Sequence, residues 1–377
     1  MKPMQYRLLT IATCLLHIFV VSAVWAGPAT EDSVYDRIWR YGTLYEDNGD
    51  GWIQKIALSG RLQAEAAGFD ADEGDFDDTT WRRFRFGFVS QFVHNWRLNV
   101  EADLDLNQSR SDWYQGLTDA YIAWRPDKST EIKILKQSAG FTLDGATSSK
   151  KLLTLQRNNL TKNLWFTEEY FTGVTLKRDF NSNWFYKVGV FASDDDKEIG
   201  VTDAGYFLFA SLDYALDVGP KLDEATIYLD YVYNDKDAKA NTPDLSHVAS
   251  LSTRWRAGAW HLHTDLALGE GYYDQSDLWG LVLMPLYDVS EVVQLVGRYT
   301  YLSSNDDNGL VFNRYEDKIA QGEGDEYHEI YAGLNLFFYG HKLKWQTGLQ
   351  YTRMDDQADD GGEYDGWGIT TGLRIYW

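Results

Sequence analysis

"TWRRFRFGFVSQFVHNWRLNVEADLDLN", residues 80–107, sets the fold. In its first half Phe84, Phe86, Phe88 and Phe92 occupy one set of alternate positions, and Arg83, Arg85 and Gln91 occupy the other. After "VHNW" the alternation resumes, with Trp96, Leu98, Val100, Ala102, Leu104 and Leu106 set against Arg97, Glu101, Asp103 and Asp105. A pleated strand sends alternate side chains to opposite faces, so each half is a strand with one oily and one wet face. A helix would mix the two sets.

Working outward, the same two-residue period recurs in sixteen segments, at 53–67, 81–93, 96–107, 117–125, 130–137, 170–180, 184–192, 204–216, 225–234, 246–257, 259–269, 277–287, 291–302, 327–339, 342–354 and 366–377. The eighth and twelfth depart from it, with apolar residues on both faces (Phe207 and Phe209; Leu281 and Leu283). Every second connection is long: 69–80, 108–116, 138–169, 193–203, 235–245, 270–276, 303–326 and 355–365. The others are short, such as "RPDKS", "DFNSN" and "FYGHK". An even strand number with short turns on one side and long loops on the other predicts an all-β, 16-stranded antiparallel transmembrane β-barrel. Aromatic residues near strand ends (Trp81, Trp96, Trp124, Trp184, Tyr299, Tyr301, Tyr351) suit the two interfacial girdles of such a barrel. The last strand ends on Trp377, the kind of aromatic terminus that barrel-assembly machinery reads.

The opening residues place Lys2 and Arg7 before an apolar run from Leu8 to Val24, with small residues around Ala26. This reads as a signal peptide over 1–26, followed by a periplasmic N-terminal segment (27–50) and the barrel (51–377). A retained membrane anchor is the alternative. Loss of 1–26 would remove the single cysteine, Cys14, and two bases, moving the net charge from -22 to 33 minus 57, or -24. That balance excludes a nucleic-acid partner, and the 15% aromatic content excludes a disordered chain.

A barrel of sixteen strands leaves a water-filled bore. By alternation its lining includes Arg83, Arg85, Lys177, Lys187, Arg254, Arg256, Arg298, Lys344 and Arg374 against Glu101, Asp103, Asp105, Asp119, Asp230 and Glu329. Most other acid sits in the outer loops: Asp70 to Asp78, Asp194 to Asp196, and Asp355 to Asp365. Those loops either bind divalent cations that bridge to lipopolysaccharide phosphates or form a solvated rim. The third outer loop is different. Its "GATSSKKLLTLQRNNLTKNLWF", residues 145–166, gathers Lys150, Lys151, Arg157 and Lys162 with almost no acid. Folded inward, it would narrow the bore and put these cations where low-dielectric walls focus the field. Lying over the rim, it would be a basic surface loop.

"GATSSKKLLTLQRNNLT", together with "GRLQAEA" at 60–66, "WRRFRFGF" at 81–88, "EADLDL" at 101–106 and "LTDAYIAW" at 117–124, resembles the phosphate-selective porin O and P family. The resemblance spans about residues 56 to 176. It implies a trimeric outer-membrane porin with an inward third loop, in which Lys136, Lys150 and Arg157 help bind anions. Lys151, Lys162, Arg83 and Arg85 join them as substrate or constriction candidates from their position alone. The acids Glu101, Asp103 and Asp105 depart from the family pattern.

Other constellations are weaker. His261, His263 and Asp265 share a lumen face without a third nitrogen or thiolate donor, and "EDNGDGWIQ" (46–54) has Ala57 where a calcium loop needs its bidentate acid. No catalytic set, metal site or cofactor is expected. The reading is therefore a passive channel of the bacterial outer membrane for small polar, anionic, phosphate-like solutes, with membrane lipid and lipopolysaccharide as surroundings. The alternatives are a general or cation-preferring porin, and a structural or adhesive barrel with acidic surface loops.

Overall fold

A computed structural model describes residues 33–165, 170–194 and 196–377. The segment 1–26, Asp195 and residues 166–169 of the third loop lie outside the described residues. Within the unit ending at Gly42, helix α1 (Val34–Arg40) is started by a capping box, with the Asp36 N–H donating to Ser33 Oγ at 3.1 Å and the Ser33 N–H to Asp36 Oδ2 at 3.0 Å.

The described residues of the remaining chain, Thr43–Trp377, hold seventeen strands. The first, β1 (Thr43–Glu46), is a short strand laid along the start of β2. The other sixteen are β2 (Ile53–Ala71), β3 (Gly74–Phe92), β4 (Trp96–Leu104), β5 (Tyr114–Trp124), β6 (Thr130–Gln137), β7 (Phe171–Asp179), β8 (Trp184–Ala192), β9 (Tyr206–Ala215), β10 (Glu224–Asn234), β11 (Leu245–Ala257), β12 (Trp260–Gly271), β13 (Leu278–Asp288), β14 (Val293–Ser304), β15 (Glu326–Phe337), β16 (Leu343–Asp355) and β17 (Tyr364–Tyr376). Each pairs antiparallel with its neighbour in sequence, and β17 closes on β2 in the register Gly372↔Glu65. Sixteen strands close the barrel, so no edge is left unpaired within the ring.

Alternation behaves as the period requires. On β17, Trp367 and Leu373 are exposed outward while Arg374 is buried within. On β3, Phe86 and Phe88 are exposed and Arg83 and Arg85 buried. Aromatic pairs cluster at both strand ends. Trp96–Trp124 (5.9 Å), Trp184–Tyr214 (4.4 Å) and Trp260–Tyr287 (4.6 Å) ring the short-turn side, and Trp279–Tyr301 and Tyr351–Trp367 (both 5.1 Å) ring the loop side.

The first outer connection differs from its expected form. Strands β2 and β3 run nineteen residues each, well beyond the 9–11 that cross a bilayer, so residues 69–80 form a projecting hairpin rather than a loop. Gly74 makes the turn at φ +153°, and Phe69 and Phe76 pack on Tyr315 at 5.3 and 6.0 Å. That apolar contact lets an acidic segment pair as a ladder.

Candidate functional site

The third outer connection leaves β6 at Gln137 and runs along the inner wall. A loop buried there exposes no backbone to bulk water, so its carbonyls need donors. The wall provides them. Gln63 donates to the Ser149 carbonyl at 3.2 Å, Gln346 to Leu152 at 3.2 Å, Asn335 to Leu153 at 2.9 Å and Arg298 to Gln156 at 3.1 Å, while Lys344 and Arg374 donate to Leu152 and Leu155. Three lumen bases thus serve as hydrogen-bond donors to a loop backbone. Arg298 is braced by Glu329 through two bonds of 2.7 and 3.0 Å.

Downstream, the loop forms helix α2 (Asn159–Leu164), capped by Asn158, whose side chain accepts the Thr161 N–H at 2.8 Å. Leu160, Leu164 and Trp165 are buried in an apolar cluster with Phe207, Leu278, Val282 and Leu302. Of the two strands with apolar residues on both faces, β13 is part of the floor under this helix, and β9 packs on the neighbouring loop residues Trp165 and Phe141. On β12, a Cβ at Gly269 would come within 2.9 Å of Leu164 Cδ2, so the helix sits close because the residue is glycine.

A second segment joins it. The connection 305–325, between β14 and β15, is held at the Val311 carbonyl by Asn159 and Asn163 (3.0 Å each) and at the Phe312 carbonyl by Lys162. Tyr315 donates to Glu65 at 2.9 Å, and the same carboxylate receives Gln156 at 2.6 Å and Arg374 at 3.2 Å. Glu65 therefore joins the wall to both loops. Next to it, Glu316 is buried and accepts Gln350 Nε2 at 2.7 Å. Burial, with Glu329 nearby, pushes its carboxyl up to about 7.

On the opposite side, between the loop and the β2–β11 wall, two adjoining cavities remain open. One, of about 190 Å³, is lined by Arg61, Arg83, Arg85, Arg157 and Lys187 with Asp119, and by the loop residues Thr147 to Ser149. The other, of about 260 Å³, mixes Lys177, Lys187 and Arg254 with Asp213 and Asp230. Gly140, Ala146 and Lys187 border both. The basic wall is itself paired: Arg85 meets Asp103 at 3.0 Å and Tyr170 at 2.7 Å, and Arg61 meets Glu101 at 2.5 Å.

Residues 56–259, more than half of the chain, match the family described as phosphate-selective porin O and P. The chain belongs to that family. The fold is shared more widely. The chain is similar to an anion-selective porin from Comamonas acidovorans at 13% identity, with 85% of this chain and 99% of that one covered and a TM-score of 0.59. It is also similar to the outer-membrane channel DcaP of Acinetobacter baumannii (11% identity, 89% and 100% covered, 0.58) and to OmpT of Vibrio cholerae (11%, 89% and 99%, 0.56). No curated protein sequence matches it. Family and fold together place this porin in the bacterial outer membrane, as a channel-type barrel.

The expected site residues of the porin divide into three groups. Arg83, Arg85 and Arg157 line the first cavity, Arg157 also donating to the Asp144 and Thr147 carbonyls at 3.0 and 2.8 Å. Lys150 lies 3.4 Å from Glu101 and 5.6 Å from the Tyr376 ring, and Lys151 is exposed to solvent. Lys136 and Lys162 instead donate to the carbonyls of Asp196 and Phe312. Sequence reasoning missed Arg61, Glu65 and the inward course of 305–325. The apolar residues of that connection, Leu310, Val311, Phe312 and Ile319, were the available signal, since a solvated loop has no use for them. Among the described residues no group of three or more His, Cys, Asp or Glu is placed to hold a metal ion.

Proposed function

We propose that this porin is a passive channel in which small anionic solutes, phosphate among them, cross the bore between loop 138–165 and the β2–β11 wall. The observation that carries the reading is the first cavity, where four arginines and a lysine face one aspartate. Guanidinium groups offer paired donors in the geometry of phosphate and carboxylate oxygens, and low-dielectric walls around a narrow bore concentrate the attraction. Passage needs no energy coupling. The protein assembles as a homotrimer through the barrel-assembly machinery, with lipid and lipopolysaccharide around it. Lys150 and Lys151, which follow the cavity-lining Ser149 in the chain, add positive charge beside it.

One observation favours a second reading, a general porin with weak selectivity: Glu101 and Asp103 neutralise wall cations, and Asp213 and Asp230 enter the second cavity. Planar-bilayer reversal potential in a potassium chloride gradient separates the two. Chloride preference, reduced by Arg83→Gln and accompanied by a phosphate-dependent drop in chloride current, supports the first. A reversal potential near zero or favouring potassium, unmoved by Arg83→Gln, supports the second, a general or cation-preferring porin.

A further inference from the structure

Glu101 stands where a bound anion would stand. Its side chain is only 1% exposed, yet it is a carboxylate inside a basic cleft. Oε1 takes Arg61 Nη2 at 2.5 Å, and Oε2 takes Ser59 Oγ at 3.2 Å and Lys150 Nζ at 3.4 Å. Arg61 Nη1 reaches Ser149 on the loop at 2.6 Å, and its Nε–H is buried without a partner. A hydroxyl, a lysine from the loop and an arginine from the wall are the donor set expected around a phosphate or carboxylate solute. Here a side chain of the protein fills it.

We propose that Glu101 is an internal competitor for the solute anion: its carboxylate occupies donors of Arg61 and Lys150 that an arriving oxyanion would otherwise engage, and so sets the cleft to weak, rapidly exchanging anion binding. This rests on the reading that the cleft carries anions, and it deepens that reading by naming a specificity-determining residue. Conduction requires a solute to leave as readily as it enters, and a fully available arginine–lysine set would retain it. Arg61 lines the cavity, so the competition acts at the passage itself.

The test measures inhibition of chloride current by inorganic phosphate in planar bilayers, for the wild-type porin and three variants. Glu101→Gln removes the competing charge, and the phosphate concentration for half-inhibition should fall by about tenfold or more, the worth of one charge-assisted hydrogen bond or two. Asp119→Asn removes the same unit charge from the lining of the same cavity without holding Arg61 or Lys150, and should lower it by only about twofold. Glu101→Asp keeps the net charge but withdraws the carboxylate by one methylene, and should give an intermediate fall. It also stands in if Glu101→Gln does not assemble. Equal shifts for Glu101→Gln and Asp119→Asn, or no shift for Glu101→Asp, would overturn the proposal. The wild-type reversal potential tests the anion reading separately: a potassium-preferring wild type would overturn that reading and this proposal with it, whereas a chloride-preferring wild type with equal shifts for Glu101→Gln and Asp119→Asn would overturn this proposal alone.

Discussion

Asp265, on β12, accepts the backbone N–H of Leu143 at 2.7 Å and the Ser250 hydroxyl at 2.7 Å, pinning the front of loop 138–165 to the wall. Replacing Asp265 with Ala leaves a buried N–H without an acceptor, a loss of about 1–3 kcal/mol. The barrel ladder does not depend on this contact. Single-channel records of Asp265→Ala should therefore show larger open-channel noise, while the folded barrel keeps its heat-modifiable migration on a gel.

The other anchor is apolar. Trp165 packs edge-on against Phe207 at 5.4 Å and Phe141 at 6.1 Å, fully buried. Trp165→Ala should weaken docking of α2 by about 3–5 kcal/mol, the range for a buried aromatic. Limited trypsin digestion reads this directly: the variant should be cut at Lys150, Lys151, Arg157 or Lys162 under conditions that leave the wild type whole.

Strap 305–325 should respond to pH through Glu316. The groups facing it are Glu329 and Tyr327 on β15, Gln350 and Thr352 on β16, and Tyr364 on β17, with Arg298 on β14 held on Glu329 behind them. Its carboxyl is raised from 4.5 to about 7 when docked, so docking is fully favoured below about pH 4.5 and loses about 3 kcal/mol as pH rises to 7. Conductance should increase across that interval, and Glu316→Gln should flatten the increase.

Much of the barrel was legible because membrane strands must show one oily face. Phe84, Phe86 and Phe88 against Arg83 and Arg85 decide β3 with no further information. What was not legible depends on contacts far apart in sequence. Arg298, Lys344 and Arg374 read as solute-facing bases, but a loop 140 to 220 residues earlier uses them as carbonyl donors. The doubled apolar faces at Phe207 and Phe209 and along β13 broke the barrel pattern for a reason the period alone does not reveal: the inward loop covers them, with Trp165 on Phe207, Phe141 on Phe209 and α2 on β13. Likewise Phe69 and Phe76 carried β2 and β3 beyond the membrane by packing on Tyr315, which lies beyond β14 in the sequence.

The central claim is that solute passes between the third loop and the arginine wall, and one measurement reaches it most directly. Apart from Cys14 the chain has no cysteine, so Ser148→Cys places a single reactive thiol on the loop side of the first cavity. A negatively charged methanethiosulfonate reagent, added to Ser148→Cys channels in a planar bilayer, should cut the chloride current in discrete steps, one for each channel modified. Complete labelling of that thiol with the current unchanged would contradict the claim.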